Sequence, residues 1–188
     1  MLPVGELKKG TTLIIDNDLY VVTSFEFAKP GKGQAMYRTK MRNMATGAVV
    51  ERTFRSGDMF EPARLDQRSM QYLYREGNNY TFMDNTTYEQ ISLSEDALGD
   101  AKNYLIDNLS VDVLFFRDRP IGVNAPNFIS LRVVDTAPWA KGDTSGSDSK
   151  PATLESGYVL RVPPFINEGD VIQIDTRTGS YLSRISKG

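Results

Sequence analysis

Tyr37-Arg38-Thr39-Lys40-Met41-Arg42 changes character at every residue. Successive side chains of a β-strand point to opposite faces, so Tyr37, Thr39 and Met41 share a core-like face while Arg38, Lys40 and Arg42 share a basic one. The stretch reads as a half-buried strand, and its neighbours fit that reading. Tyr20 to Phe27, rich in valine and aromatics, precedes it. Lys29-Pro30-Gly31-Lys32-Gly33-Gln34 lies between the two as the polar tip of a hairpin. Upstream, Leu13-Ile14-Ile15 runs into a turn at Asp16-Asn17-Asp18. Downstream, Thr46-Gly47 turns the chain into Val49 to Phe54, and Ser56-Gly57-Asp58 closes the set. These residues predict a small barrel or sandwich.

The pattern restarts near Pro62. Met70, Tyr72 and Tyr74 alternate with Gln71, Leu73 and Arg75, and Glu76-Gly77-Asn78-Asn79 is a strong hairpin turn into Tyr80 to Met83. Tyr88 to Leu93 and Val111 to Phe116 are further strands. One helix is predicted between them. Ser94 can cap it, Glu95 and Asp96 suit its positive end, and Ala97, Leu98, Ala101, Tyr104 and Leu105 fall near one face, with Gly99 as the weak point. Asn124-Ala125-Pro126-Asn127 marks a second boundary. Strands follow at Phe128 to Val134, Tyr158 to Val162, Val171 to Ile174 and Tyr181 to Ile185, while Ala137 to Thr153 has no periodicity. Gly10 to Tyr20 and Gly169 to Tyr181 echo one another, as similar hairpins do. The expected domains are 1–63, 64–126 and 127–188.

The 188 residues contain no cysteine and no histidine, and this narrows function. A Ser-His-Asp or Cys-His catalytic set, a Cys/His zinc site and a disulfide are all excluded. There is no apolar run of the ~18 residues that a membrane helix needs, and mean hydropathy is −0.37. The opening residues lack a basic flank followed by an apolar stretch, so no secretory signal is expected. The formal charge is only −2. Its distribution is uneven: residues 25–55 carry 7 basic and 2 acidic side chains, while residues 64–126 carry 6 basic and 10 acidic ones. A mildly acidic protein with one basic end suggests contact with a polyanion there.

Four features could carry chemistry. In the Lys29-to-Gln34 loop, Gly31 and Gly33 permit a tight turn and Pro30 stiffens the stem, so Lys32 becomes a cation held at the tip of a hairpin. No Gly-x-x-x-x-Gly-Lys-Ser/Thr sequence exists, so nucleotide hydrolysis is unsupported. Lys141 to Thr153, with Gly142, Asp143, Thr144, Gly146 and Lys150, is a long loop of small polar residues suited to hydrogen bonding with nucleic acid. Asp143 and Asp148 miss the calcium-loop spacing, and Glu95-Asp96 and Glu168 with Asp170 read as solvated structural carboxylates. Of the aromatics, Tyr72, Tyr74, Tyr80, Phe82, Phe115 and Phe116 fit core positions by alternation. Trp139 beside the long loop has no assignable role.

Several stretches resemble bacterial elongation factor P. They are Lys29 to Ala35, Thr46-Gly47, Glu51 to Phe54, Met70 to Tyr74, Tyr80 to Asp84, Tyr88 to Gln90, Pro126-Asn127, Lys141 to Thr144, Lys150 to Leu154, Asp175 to Gly179 and Tyr181 to Arg184. The resemblance spans nearly the whole chain in family order. It implies an all-β protein of three small barrels, an SH3-like (KOW-like) one followed by two OB-folds, together shaped like an L. It also implies a non-enzymatic, cytoplasmic, monomeric factor without cofactor or metal. Such a factor binds both subunits of the ribosome between the P and E sites and relieves stalling at consecutive prolines. Lys32, presented by Lys29, Pro30, Gly31 and Gly33, would reach the CCA end of P-site peptidyl-tRNA, and would be the target of a lysine-modifying enzyme. Arg38, Lys40 and Arg42 would face RNA. Gly142, Asp143, Thr144, Gly146 and Lys150 would meet the E-site codon of the messenger, with Tyr181 and Arg184 near the anticodon stem. Asp148 departs from the pattern. The rival readings are a generic single-stranded RNA-binding OB-fold protein, which should hold free oligonucleotides with a steep salt slope, and an enzyme, which the absent acid/base set disfavours.

Overall fold

The computed structural model describes residues 1–139 and 149–188. Three antiparallel sheets account for most of the described residues, built from the alternating segments read above together with Leu2–Pro3, Met59–Pro62, Arg119–Asn124 and Lys150–Leu154, which the alternation does not announce. The first holds β1 (Leu2–Pro3), β2 (Thr12–Ile15), β3 (Asp18–Ala28), β4 (Met36–Asn43), β5 (Val49–Arg55) and β6 (Met59–Pro62), in the order β1-β6-β2-β3-β4-β5. Its core is Val4, Leu7, Leu13, Tyr20, Val22, Met41 and Phe60.

The second sheet comprises β7 (Asp66–Glu76), β8 (Asn79–Asp84), β9 (Gln90–Ser94), β10 (Ser110–Phe116) and β11 (Arg119–Asn124), in the order β11-β10-β7-β8-β9. The third comprises β12 (Phe128–Thr136), β13 (Lys150–Leu154), β14 (Val159–Val162), β15 (Val171–Asp175) and β16 (Ser180–Ser186), in the order β14-β13-β12-β15-β16. Counted within each sheet, both orders read 5-4-1-2-3. One topology is therefore used twice, and it is the OB arrangement. Two-residue turns set several registers. Asp16 and Asn17 (φ 52° and 67°) join β2 to β3, and Gly77 (φ 60°) opens the turn into β8, where a type II′ turn needs glycine.

The sheets gather into two compact units, residues 1–66 with 116–121, and residues 67–115 with 122–188. In the second unit the two apolar clusters are joined. Leu109 and Ala125 pack against both, and Tyr104, which precedes the Pro126 boundary, is buried in the cluster of Ile129, Leu131 and Ile174.

Three expectations need correction. The helix after Ser94 is not continuous: α1 (Glu95–Leu98) stops at Gly99, whose φ of 55° and ψ of −135° break it, and a 3-10 run over Gly99–Tyr104 follows. Ser94 makes no side-chain capping bond. Tyr74 is 49% exposed rather than buried, because the register of β7 against β8 shifts between Tyr72 and Tyr74. The extra residue, Leu73, reverses the alternation beyond it. Finally, the stretch read as aperiodic to Thr153 ends earlier, because Lys150–Leu154 is β13, between β12 and β14. Proline and small residues hid a strand that buries only Ala152 and Leu154.

Candidate nucleic-acid interface

β3 and β4 form a finger. They pair from Tyr20 opposite Asn43 to Ala28 opposite Met36, and β5 continues the sheet to Arg55 opposite Met36. Residues 29–35 cross the end, and Lys29, Pro30, Gly31, Lys32 and Gly33 are all exposed. Gly33 has a φ of 137°, which a side chain would strain, while Gly31 needs no such freedom. Among the described residues Lys32 has no ion pair and no side-chain hydrogen bond.

Aromatic rings brace this finger on its inner face. Phe27, Tyr37 and Phe54 sit directly opposite one another across the three strands. Tyr37 stacks on Phe25 at 5.4 Å and leans on Phe27 at 5.1 Å, while Phe54 meets the buried Phe60 edge-on at 4.7 Å. Such pairs add to plain burial and tie the finger to the first core. Thr39, also on this face, is fully buried and its Oγ1 has no hydrogen-bond partner.

The outer face carries the basic row, with Arg38 and Lys40 exposed and Arg42 half-buried. Two residues missed in the sequence interrupt it. Glu26 on β3 lies opposite Arg38, and Glu51 on β5 lies opposite Lys40. With Ser24 these four line a shallow cleft of about 160 Å³. The period-2 alternation of β3 and β5 could have placed both carboxylates on this face.

In the third sheet, Gly142, Asp143, Thr144 and Gly146 lie outside the described residues, as does Asp148. The stem on either side of 140–148 is bonded. Lys150 Nζ donates to the Ala137 carbonyl, and the Thr136 hydroxyl donates to the Pro151 carbonyl at 2.9 Å. Arg161 donates to Ser149 Oγ at 3.1 Å and to its carbonyl at 2.8 Å. The Trp139 amide donates to Asn167 Oδ1 at 3.3 Å, which gives Trp139 a place at the foot of the segment.

Asn167 is itself seated on Asp170, whose carboxylate is structural but buried, rather than solvated as its place in a turn suggests. Asp170 accepts the Asn167 amide at 2.9 Å and the Gly188 amide at 2.9 Å, and Arg184 Nη1 stands 3.6 Å from it. Burial alone would raise the Asp170 carboxyl; the two amides and the Arg184 guanidinium reverse that and hold it below its ordinary value. Arg184 also lies over the Phe165 ring, 5.1 Å from its centre. Its side chain is thus engaged within the protein on both sides. Burial lowers the Lys150 ammonium, with the Asp170 charge opposing. Burial raises the Tyr181 phenol, with Arg184 opposing, and Tyr181 packs on the third core from β16.

Family profiles match almost the whole chain: "Elongation factor P (EF-P) KOW-like domain" over residues 3–60, "Elongation factor P (EF-P) OB domain" over 65–123 and "Elongation factor P, C-terminal" over 123–184. The three matches in chain order, on a fold of small β modules, define a translation factor of a non-enzymatic family. Elongation factor P 2 of Geobacter sulfurreducens is 65% identical over 98% of this chain and 99% of its own length. Elongation factor P of Desulfatibacillum aliphaticivorans is 55% identical over the full length of both. The chain belongs to the elongation factor P family, and it is a translation elongation factor. The solved structure of eukaryotic translation initiation factor 5A from Methanococcus jannaschii aligns with 66% of this chain and 93% of that one, at 25% identity and a TM-score of 0.47.

Proposed function

We propose that this factor binds the ribosome between the P and E sites and speeds peptide-bond formation where consecutive prolines stall it. The observation that carries this is Lys32, a cation without an internal partner at the end of an aromatic-braced finger. Proline is a slow acceptor because its amine is secondary and its ring rigid. Lys32 near the CCA end of peptidyl-tRNA would restrict that end to attackable geometries. The ribosome performs the chemistry, and the factor supplies positioning. Arg38, Lys40 and Arg42 run beside the acceptor stem and meet phosphates.

The three domains act as units 1–63, 64–126 and 127–188, in the cytoplasm and as a monomer. Gly142, Asp143, Thr144 and Gly146 reach the E-site codon from the stem that Lys150 closes, with Tyr181 and Arg184 toward the small subunit. Lys32 is also the residue a modifying enzyme would extend. The test is in vitro translation of a reporter with a proline run. Wild-type protein should relieve the stall; Lys32→Ala should fold equally well, because an exposed tip residue supports no core, and should give little relief. Equal relief from both would overturn the mechanism.

A further inference from the structure

Glu26 and Glu51 are out of place on a face meant only for phosphates. Phosphate oxygens accept hydrogen bonds and never donate them, so a carboxylate beside Arg38 and Lys40 repels the very group those cations attract. Nor do these carboxylates serve as internal counterions. Each stands directly across the ladder from a cation, yet among the described residues neither Glu26 with Arg38 nor Glu51 with Lys40 forms an ion pair. All four side chains and Ser24 instead border one open cleft. The two carboxylates flank β4 on opposite sides and one step apart along it, a diagonal of roughly 12 Å from ordinary strand spacings.

The cleft thus presents donors and strong acceptors to the same ligand. We infer that Glu26 and Glu51 accept hydrogen bonds from ribose 2′-hydroxyls of paired RNA while Arg38 and Lys40 meet the flanking phosphates, so that the finger selects an A-form RNA stem over other polyanions. A-form RNA displays its 2′-hydroxyls in a wide, shallow groove that a flat sheet face can approach. The 2′-hydroxyl is a donor that DNA lacks. A carboxylate accepting from it makes a charge-assisted bond, whereas on a deoxyribose stem the same carboxylate is left with only the repulsion. Selectivity arises from the repulsive element as much as from the attractive one. The inference rests on the proposal that this face lies along an acceptor stem.

The experiment uses ribosomes stalled on a proline run, with peptidyl-tRNA whose paired acceptor stem carries either ribose or 2′-deoxyribose. The concentration of full-length protein for half-maximal relief is measured. For the wild type it should rise about tenfold on the deoxy stem. Glu26→Ala/Glu51→Ala should need about tenfold more protein on the ribose stem, and no more again on the deoxy stem. Arg38→Gln/Lys40→Gln should weaken both stems alike, keep their ratio and flatten the salt dependence. Thermal unfolding of each variant should match the wild type, since all four side chains are exposed. The inference is overturned if the double alanine variant acts as well as wild type on the ribose stem, or keeps the wild-type ratio between stems. Wild-type protein without activity on the ribose stem would sink the proposed function, and this inference with it.

Discussion

Thr39 and Asp170 show how single residues can be costly or supportive in the same environment. Both are buried, at 0% and 3% exposure. Asp170 is satisfied by two amides and a guanidinium, while the Thr39 hydroxyl is left without a partner. Thr39→Val should therefore stabilise the protein, by about 1 kcal/mol, read as a higher midpoint in denaturant with the slope unchanged. Asp170 has a pH signature. Its carboxyl is held below the ordinary 3.8 in the folded protein, so its stabilising contribution is present above that value and disappears as pH falls through the folded-state value. Asp170→Asn should lower stability at neutral pH and make the acid side of the stability curve shallower. Asp84 and Asp175, also held low by hydrogen bonds, keep some slope in place. An unchanged acid limb would remove Asp170 from this role.

At the scale of elements, the stem around 140–148 behaves as a clamp with two feet. Lys150 closes one on Ala137, and Asn167 holds the other through Trp139. Asn167→Ala should leave the thermal midpoint of the third sheet nearly unchanged. It should raise the protein concentration needed for stall relief without lowering the maximum rate, because Lys32 is untouched. A lowered maximum would contradict a positioning role for Asn167.

The finger was legible in the sequence because Tyr37 to Arg42 alternates without interruption and glycines mark its tip. The clamp was not. Asn167 and Asp170 meet in a local turn, but Arg184 reaches Asp170 only when β15 pairs with β16, and Trp139 reaches Asn167 across 28 residues, which no local period announces. Tyr74 was misread because a bulge cannot be seen in an otherwise regular alternation, and β13 because Pro151, Ala152 and Thr153 lack the bulk that signals a strand. The Gly10 and Gly169 echo proves to be one of hairpins: β2–β3 and β15–β16 sit in sheets of different order.

For the whole molecule, the two repeated 5-4-1-2-3 sheets have distinct buried clusters that are joined at their margins, where Leu109 and Ala125 pack against both. Tyr104 crosses from one region into the other's cluster and meets Tyr158 edge-on at 5.3 Å. Tyr104→Ala should cost about 3–5 kcal/mol, and amide exchange should rise together in β7 to β10 and β12 to β16. Exchange confined to one sheet would show that the two unfold independently. Burial first, with Tyr158 adding to it, pushes the Tyr104 phenol up to about 12 from 10.0. Its contribution is complete below pH 10 and is lost as pH rises toward 12.

The first core and the aromatic rings of β3, β4 and β5 carry a finger at whose tip Lys32 has no ion pair among the described residues, and the central claim concerns where that cation goes. The most direct measurement is a cryo-electron microscopy map of this protein on a ribosome stalled at a proline run with peptidyl-tRNA in the P site. Lys32 should lie against the terminal nucleotides of that tRNA, with Arg38 and Lys40 along the acceptor stem. A map with the finger in open solvent, away from the tRNA end, would contradict the account.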